Sequence, residues 1–557
     1  MSLNRRGLIP GTSAACVTAL VAVLCTWATT ARAQRVDDGS DRFFANKVNK
    51  KQDAKDETIV QGSLTLTNFL FTEVGGNSVQ NPALIANYSP ALRLFTDLRA
   101  QLDVKKIGGS SWDLRTDARV RVSPGCNFQS IFARPALNDQ LKCKTQSGTL
   151  GGNEYDIREL FAKRTGEKTD LYLGRQFVTE LAATKLDGLK FNYHVNKRWD
   201  LLGFAGLNPS RISRSILADY PSQVDADGNQ GGPVLPITAG LGGSYRLPNI
   251  YGSMGVVGIV PLAEDRENQG INENPRIFLT DNGYWRPSSN LDVYHYAVID
   301  LQSAAGFGIT NLSLGANYRP VPGFTVNAAI NRVDTESLNS IVQTQTLDVD
   351  VSALAIPYNY QRVLRIASDS ARVSLSMALA QQRFELSTSA QIRQREQAEL
   401  LIVDNMSLPQ VIPAARNAEF QVSFVDRRSI AGLRLGGNVS AIIPLGKDTP
   451  NRSTAQIARL MLSRMFMDER AQLDFDLSFV NSSDIEELGN CVADPITCYG
   501  RTDVMMVSTN TLFYYRFARD WLAIANAGIG YQSFNDGVAA QPANLLFTGF
   551  LRVAYRF

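Results

Sequence analysis

Arginine and aspartate alternate with apolar residues in two neighbouring segments near the start of the chain. The charged positions are Arg93, Asp97, Arg99, Asp103 and Lys105 in the first segment and Asp113, Arg115, Asp117, Arg119 and Arg121 in the second. A period of two predicts strands with two unlike faces, and Gly108-Gly109-Ser110-Ser111 between the segments predicts a hairpin turn. Arginine and aspartate can pair across such strands, and a ring of arginines can attract anions.

A charged face opposite an apolar face requires water on one side of the sheet and an apolar medium on the other. The apolar positions of the second segment are Trp112, Leu114, Ala118, Val120 and Val122. A water-filled transmembrane barrel meets both conditions, because its outer face contacts lipid. The sequence therefore predicts an all-β chain that forms a single large antiparallel transmembrane β-barrel.

The organisation of the whole chain agrees with one barrel. One ordinary soluble core would not hold 557 residues, yet no linker divides them. Two arginines, an apolar run and an Ala-Arg-Ala motif follow one another in 1–34, which is the order of a secretory signal peptide. We predict that a charged, flexible periplasmic segment follows over 35–57, and the barrel over 58–557. No later segment has the roughly 18 consecutive apolar residues of a membrane-spanning helix.

The chain ends in a strand pattern whose last residue is aromatic. Leu551, Val553, Tyr555 and Phe557 occupy alternate positions. This ending resembles the C-terminal signal of Gram-negative outer-membrane barrels, with Tyr555 and Phe557 in the signal positions. The resemblance implies a location in the outer membrane, contact with its lipid and recognition by the barrel assembly machinery. A soluble β-sandwich would explain the alternation but not the terminal aromatic residue.

Connections between the predicted strands fall into two length classes. The short turns lie at 196–198, 248–249, 320–323, 381–383, 426–429, 467–470 and 517–520, and the long connections at 123–153, 208–236, 261–290, 334–360, 396–417 and 481–501. Such asymmetry is typical of outer-membrane barrels, with short periplasmic turns and long extracellular loops. About 21 segments have strand patterns. The orientation of Leu291–Gln302 conflicts with the turn at 320–323, so one segment is assigned to a loop and an even number of about 18–20 strands is predicted.

Aromatic residues flank several short turns in pairs. The pairs are Tyr193 with Trp199, Tyr245 with Tyr251, Tyr318 with Phe324, and Tyr515 with Trp521. Aromatic residues at one depth beside the turns predict an interfacial girdle. Packing between neighbouring strands of a hairpin is the alternative explanation.

Four cysteines follow the predicted signal peptide, two in each of two long connections. Three pairings are possible. Their placement favours one bridge per loop in an oxidising compartment, Cys126 with Cys143 and Cys491 with Cys498. A zinc site would need further ligands, and no histidine lies near these cysteines. We therefore predict neither a metal nor another cofactor.

Cations outnumber carboxylates on the predicted inner face. Outside the first hairpin these positions are Arg158, Lys190, Arg246, Arg319, Arg372, Arg393, Arg395, Arg434, Arg552 and Arg556, against Asp156, Glu385, Glu419, Asp474 and Asp476. Such a lumen selects anions, although the same charges can simply pair across the interior. The net charge of +3 gives no indication of a nucleic-acid partner, and we expect none.

Three short motifs carry a resemblance to a known family. They are Ile157-Arg158-Glu159-Leu160, Leu173-Gly174-Arg175-Gln176 and Leu186-Asp187-Gly188-Leu189. Their arrangement resembles that of alginate-export-type outer-membrane porins. The resemblance implies a barrel with an electropositive lumen that exports an exopolysaccharide together with periplasmic polysaccharide-export proteins. It places Arg158 and Arg175 in the lumen.

The main functional prediction is an outer-membrane channel that exports an exopolysaccharide. The alternative is a diffusion or substrate-specific porin for small anionic solutes. In either case the lumen residues are Arg93, Arg99, Arg115, Arg119, Arg121, Arg158 and Arg175. An outer-membrane enzyme is a more remote alternative, because the chain has only two histidines and a hydrolase would need one beside a nucleophile. We predict that the protein is not an enzyme.

Overall fold

A computed structural model describes most of the predicted barrel. It covers residues 58–75, 93–122, 154–209, 216, 219–220, 222–224, 230–233, 235–262, 275–303, 306–334, 367–381, 383–396, 398–400, 410–412, 414–426, 432–445, 453–484, 503–535 and 543–557. The predicted signal peptide, the segment over 35–57 and all four loop cysteines lie outside the described residues. Among the described residues, no helix is long and apolar enough to cross a membrane.

The described chain forms one closed antiparallel barrel of 22 strands. Its first strands are β1 (Ile59–Gly75), β2 (Arg93–Lys105), β3 (Trp112–Val122), β4 (Glu154–Thr165), β5 (Thr169–Val178), β6 (Thr184–His194) and β7 (Trp199–Leu207). They continue with β10 (Leu235–Leu247), β11 (Ile250–Leu262), β12 (Arg276–Ser288), β13 (Leu291–Gln302), β14 (Gly308–Tyr318), β15 (Phe324–Asp334), β16 (Ala367–Leu379) and β17 (Phe384–Arg395). The last are β20 (Ala415–Asp426), β21 (Leu433–Pro444), β22 (Ser453–Phe466), β23 (Ala471–Asp484), β24 (Asp503–Ala518), β25 (Trp521–Asn535) and β26 (Asn544–Arg556).

Two short strand pairs stand outside the barrel wall. Strands β8 (Ser222–Val224) and β9 (Gln230–Pro233) pair in the connection between β7 and β10, and β18 (Ala398–Leu400) pairs with β19 (Gln410–Ile412) between β17 and β20. Each barrel strand otherwise pairs with its neighbours in chain order, so that consecutive strands are adjacent in space.

The first and last strands close the barrel. Strand β1 pairs with β26 from Ser63 opposite Arg556 to Gly75 opposite Asn544. The terminal residue extends this pairing, because the Phe557 amide donates to the Gly62 carbonyl at 3.2 Å and the Gly62 amide donates to the Phe557 carbonyl at 3.0 Å. The predicted terminal strand, with Tyr555 and Phe557, is therefore part of the seam.

The connections sort by side as the sequence predicts. The short turns after β2, β6, β10, β14, β16, β20, β22 and β24 all lie at the end of the barrel that holds the C-terminus. The predicted connection over 261–290 is wrong, because it contains strand β12. This strand resolves the orientation conflict between Leu291–Gln302 and the turn at 320–323, and it raises the strand number from the predicted 18–20 to 22.

The two faces of the wall differ in polarity. Outer positions of β1 are Val60, Leu64, Leu66 and Leu70, which are 40–52% exposed. The inner positions of the same strand are polar, among them Ser63, Thr65 and Thr67. An even number of antiparallel strands, one-sided long connections and an apolar exterior are the features of an outer-membrane β-barrel. The predicted fold class is confirmed.

Aromatic residues beside the turns lie on both faces of the wall, and the interfacial girdle stays a prediction. Trp199 and Tyr245 share the outer face, with ring centroids 5.8 Å apart. Tyr251 instead lies on the inner face, where its ring stacks on Tyr284 at 5.1 Å and the Tyr284 hydroxyl donates to Asp292 at 2.5 Å. Because side chains alternate between the two faces along β11, Tyr251 points into the barrel, whereas a girdle residue would point to the lipid.

Candidate functional site

A basic cavity lies inside the barrel against β1, β2, β3, β4 and β26. Its volume is about 690 Å³. Seven arginines line it, namely Arg99, Arg115, Arg119, Arg121, Arg158, Arg552 and Arg556, against three aspartates, Asp97, Asp103 and Asp117. The alternation of β2 and β3 turns these charged side chains inward, while Leu98 and Val120 of the same strands face outward. The structure thus brings together five of the seven arginines predicted for the lumen.

Most of these arginines pair with carboxylates across neighbouring strands. Arg99 donates two hydrogen bonds to Asp117, at 2.8 and 2.6 Å. Arg121 donates two to Asp97, at 3.2 and 2.9 Å. Charge-assisted, two-point bonds of this kind hold the guanidinium in one orientation. The paired arginines therefore form a fixed wall of alternating charge, as the hairpin pattern predicts.

The pairing continues from β3 to β4. Arg115 lies 2.6 Å from Glu159, and Arg119 lies 3.9 Å from Asp97 and 3.8 Å from Asp156. The Arg115 side chain is 53% exposed. Its unpaired donors therefore face the water of the cavity.

Arg158 differs from the other cavity arginines in its partners. Asp117 of β3 pairs with Glu159 of β4, and the next residue, Ala118, pairs with Ile157. Arg158 therefore has no residue opposite it on β3 and is the extra residue of a β-bulge. A bulge re-aims a side chain, and Arg158 is exposed into the cavity. Within the described part of the chain, no carboxylate forms an ion pair with Arg158 and no group accepts a hydrogen bond from it. Asp117 interacts electrostatically with Arg158, but the guanidinium donors remain available to a solute.

Two of the predicted lumen arginines stand apart from this group. Arg93 is the first residue of β2, and its side chain lies outside the part that the structure describes. Arg175 does not line the cavity. It lies where the β5–β6 hairpin leaves the barrel wall.

The β5–β6 hairpin leaves the wall partway along its length. Pairing of β4 with β5 ends at Leu160 opposite Arg175, and pairing of β6 with β7 ends at Asp187 opposite Leu207. Beyond these points, the hairpin strands pair only with each other, from Gln176 opposite Leu186 to Val178 opposite Thr184. Gly174 permits the departure, since its φ of +123° is one that other residues rarely adopt.

The freed hairpin tip packs inside the barrel. Leu181 is fully buried and belongs to one apolar cluster with Val178, Ala182, Leu186, Leu202, Phe204, Val257, Phe278 and Val298. Glycines on the inner face make room for it, because a Cβ at Gly242 would lie 2.9 Å from Leu181 Cδ2 and one at Gly255 only 2.7 Å. The Glu180 carbonyl also accepts a hydrogen bond from Ser253 at 2.7 Å. The hairpin tip is thereby fixed against the inner wall formed by β7 and β10 to β13.

Arg175 joins the hairpin to the wall. Its Nη1 donates to the Ile157 carbonyl at 3.1 Å, a group on the edge of β4 that β5 has left. The same guanidinium bonds Asp187 at 2.7 and 2.5 Å and also bonds Asp219. Its side chain is only 11% exposed. Arg175 lies outside the basic cavity, and two carboxylates and a carbonyl already occupy its donors. Its assignment to the lumen, which the resemblance implies, stays a prediction.

Two residues of the β7–β10 connection complete this polar junction. Asp219 also accepts from Lys185 at 2.9 Å, and the Tyr220 hydroxyl donates to Asp187 at 2.6 Å. Burial, and then the hydrogen bond to Asp187, raise the pKa of Tyr220 above its ordinary value. Tyr220 therefore stays a hydrogen-bond donor at neutral and moderately alkaline pH.

No local sequence pattern predicts this junction. Lys185, Asp219 and Tyr220 lie in segments without strand alternation, and their partners come from elsewhere in the chain. Ile157, Arg175 and Asp187 do belong to the three motifs that resemble the alginate-export-type porins. In this structure the shared function of those motif positions is to hold the departing hairpin.

Other chemistry has little support in the described residues. Within the ranges that the structure covers, no group of three or more His, Cys, Asp or Glu side chains could hold a metal ion. His194 on β6 lies with its Nδ1 2.6 Å from Asp200 and its Nε2 3.6 Å from Asp170. It thus takes part in a polar network near the turn that follows β6.

Comparisons with known proteins find likeness only among solved structures. No family model matches the chain, and no curated protein matches it. OccAB1 of Acinetobacter baumannii aligns with 90% of this chain and 99% of its own at 10% identity, with a TM-score of 0.36. OccK8 (OprE) of Pseudomonas aeruginosa aligns with 89% and 98% at 10% identity and a TM-score of 0.36. A structure described as a bacterial polysaccharide outer membrane secretin aligns with 60% and 95% at 12% identity and a TM-score of 0.29.

Values this low carry no argument about function. The resemblance to alginate-export-type porins is not confirmed, and the barrel has more strands than the sequence predicts.

Proposed function

We propose that this protein is an outer-membrane channel for small anionic solutes, with the basic cavity as its selectivity region. The observation that carries the proposal is Arg158, an exposed arginine without a protein partner among the described residues, in a cavity lined by seven arginines and three aspartates. A ring of fixed cations attracts anions. Because most of the other arginines share their donors with carboxylates, a solute meets several weak contacts rather than one tight site, as transport requires.

The inward hairpin favours small solutes over a polymer. Its tip crosses part of the lumen and is held there by a buried apolar cluster and by the Arg175 junction. Loops folded into a barrel restrict what can pass. Export of an exopolysaccharide, the main prediction from sequence, is therefore the second candidate. The small-solute function needs outer-membrane lipid and the barrel assembly machinery as partners, but no periplasmic export proteins.

Charge selectivity tests the proposal directly. The purified protein is inserted into planar bilayers, and the reversal potential is measured in a potassium chloride gradient. We expect the sign of an anion-selective channel. Arg158→Gln should move the reversal potential towards zero, and Arg158→Glu should move it further, because both change a charge that forms no ion pair with a described carboxylate.

The matched control is Arg164 on the same strand. Arg164 pairs with Trp112 and Leu171 on the outer face, so Arg164→Gln and Arg164→Glu should leave the reversal potential unchanged. A cation-selective wild-type channel would contradict the proposal. A deletion strain that lost its surface polysaccharide would favour the export function instead.

A further inference from the structure

An aspartate and a histidine form a close polar pair on the outer face of the barrel. Asp281 of β12 pairs with Met254 and Ala297 in the neighbouring strands, and His295 of β13 pairs with Leu314. Met254 and Leu314 are 54% and 46% exposed outer residues. His295 Nε2 lies 2.9 Å from Asp281 Oδ2. Both ionisable groups therefore share the apolar surface that faces lipid.

The depth of the pair makes its position costly. Asp281 lies near the middle of β12 (Arg276–Ser288). Charged substitutions on the lipid face are most destabilising at the bilayer midplane, and ionisable groups within a membrane are rare unless they serve a function. Along the described strands, the other ionisable outer residues lie near strand ends or at the Arg175 junction, such as Arg332, which bonds Asp369 and Glu396.

The surrounding surface is built to hold polar groups. The Tyr245 ring lies over two glycines, because a Cβ at Gly252 would be 2.6 Å from Tyr245 Oη and one at Gly283 would be 3.1 Å from the same atom. The Gly283 Cβ would also lie 2.5 Å from His295 Cε1. Tyr245, His295 and Asp281 thus form a polar row across β10 to β13, and the glycines keep the row low on the surface.

We propose that the outer face of β10 to β14 is the interface at which two copies of this chain associate in the membrane. Asp281 and His295 already contact each other, but hydrocarbon offers no partner to the other polar atoms of the pair, and lipid headgroups do not reach the depth of Asp281 near the middle of β12. Polar side chains strengthen contacts between helices in membranes, and this row offers the same kind of group to a second barrel. A two-fold axis brings the same patch of each copy together, so that Asp281 of one copy faces His295 of the other.

The available area is sufficient for such an interface. Five strands about 4.8 Å apart and an apolar band about 25 Å tall give roughly 600 Å² per copy. The total is at the lower limit of a specific protein–protein interface, about 1,200 Å². This proposal is independent of the solute that passes through the lumen.

Photo-crosslinking in native outer membranes tests which molecule covers this face. A photoreactive amino acid at Leu314, beside His295, should give a crosslinked dimer of this chain. The same residue at Leu98, on β2 of the remote part of the barrel, should not. Crosslinks from Leu314 to lipid alone, or to a different protein, would overturn the proposal.

A second measurement tests the role of the polar row. The mass of the purified protein is measured in nanodiscs or mild detergent by light scattering. We expect a dimer for the wild type and a shift to monomer in the double variant Asp281→Leu and His295→Leu, which remains folded because leucine suits a lipid-facing position.

The control is another polar pair on the outer face. Thr96 Oγ1 donates to Asn68 Oδ1 at 2.7 Å, and the double variant Asn68→Leu and Thr96→Val should not change the mass. A monomeric wild type would refute the interface, and so would a double-leucine variant at 281 and 295 that stayed dimeric.

Discussion

Two arginines of neighbouring strands, Arg158 and Arg175, have opposite roles although both belong to the same resemblance motifs. Period-two alternation predicts which side chains point inward, and it correctly places Arg99, Arg119 and Arg158 around the cavity. It cannot predict where a strand leaves its neighbour. The contacts of Arg175 depend on such a departure and on Asp219, a residue of another connection, so alternation alone could not predict them.

Arg175→Leu should therefore affect stability rather than selectivity. The change leaves Asp187 without its cation and the Ile157 carbonyl without its donor, and Asp219 keeps only Lys185. Breaking a buried ion pair by removing one partner costs about 3–5 kcal/mol. We expect the free energy of unfolding, measured by urea denaturation, to fall by that amount. Arg175→Lys should recover little of this loss, because lysine lacks the planar guanidinium that bonds two carboxylates at once.

Arg158→Gln is the contrasting variant in the same unfolding measurement. Arg158 has no described ion-pair partner, so its replacement should leave the unfolding midpoint close to that of the wild type. An equal loss of stability in both variants would contradict the division of roles between the two arginines.

Two single elements explain features that the sequence did not predict: the β5–β6 hairpin narrows the lumen, and β12 changes the strand number. The hairpin tip at 179–183 is short enough to suggest a simple turn, but Val178, Leu181 and Leu186 form an apolar cluster that anchors it in the lumen. Strand β12 was hidden for a different reason. Its outer positions include Asp281 and Gly283 between Leu279 and Trp285, which interrupts the apolar alternation on which strand prediction depends.

Leu181→Asp should release the hairpin from the lumen wall. A carboxylate in the apolar cluster would be buried without a partner, and this is unfavourable. We expect a higher single-channel conductance in planar bilayers, because the released tip no longer narrows the lumen. The control is Leu173→Ala, which changes a 56% exposed outer residue of the same hairpin. Unchanged conductance in Leu181→Asp would show that the hairpin does not limit the pore.

The whole molecule is defined by the contrast between its two faces, and this contrast was predictable. Alternation in the first hairpin and the aromatic C-terminal strand were sufficient to predict a closed outer-membrane barrel. The exact strand number depended on β12, a single irregular element. The content of the lumen depended on contacts between distant segments, which local patterns do not record.

The orientation of the wall can be tested at Leu98. This residue lies on the outer face of β2 and is 40% exposed. Leu98→Arg should cost roughly 2–4 kcal/mol near the bilayer midplane and lower the folded fraction in a heat-modifiability gel. Ala100→Leu, at the next outer position of β2, should leave that fraction unchanged. A normal gel shift for Leu98→Arg would contradict the assigned facing.

The seam between β1 and β26 joins residues at opposite ends of the polypeptide. Arg552 Nε donates to Thr67 Oγ1 at 3.1 Å across a separation of 485 residues, and Phe557 pairs with Gly62. Contacts of such long range form late, because the loop between them must first be closed. Until the last strand is made, both β1 and the growing end of the sheet expose unpaired backbone groups that can pair with other chains. The unpaired edges must therefore be kept from pairing with other chains until β26 has paired with β1. A product that ends before β26 keeps two open edges that it cannot close.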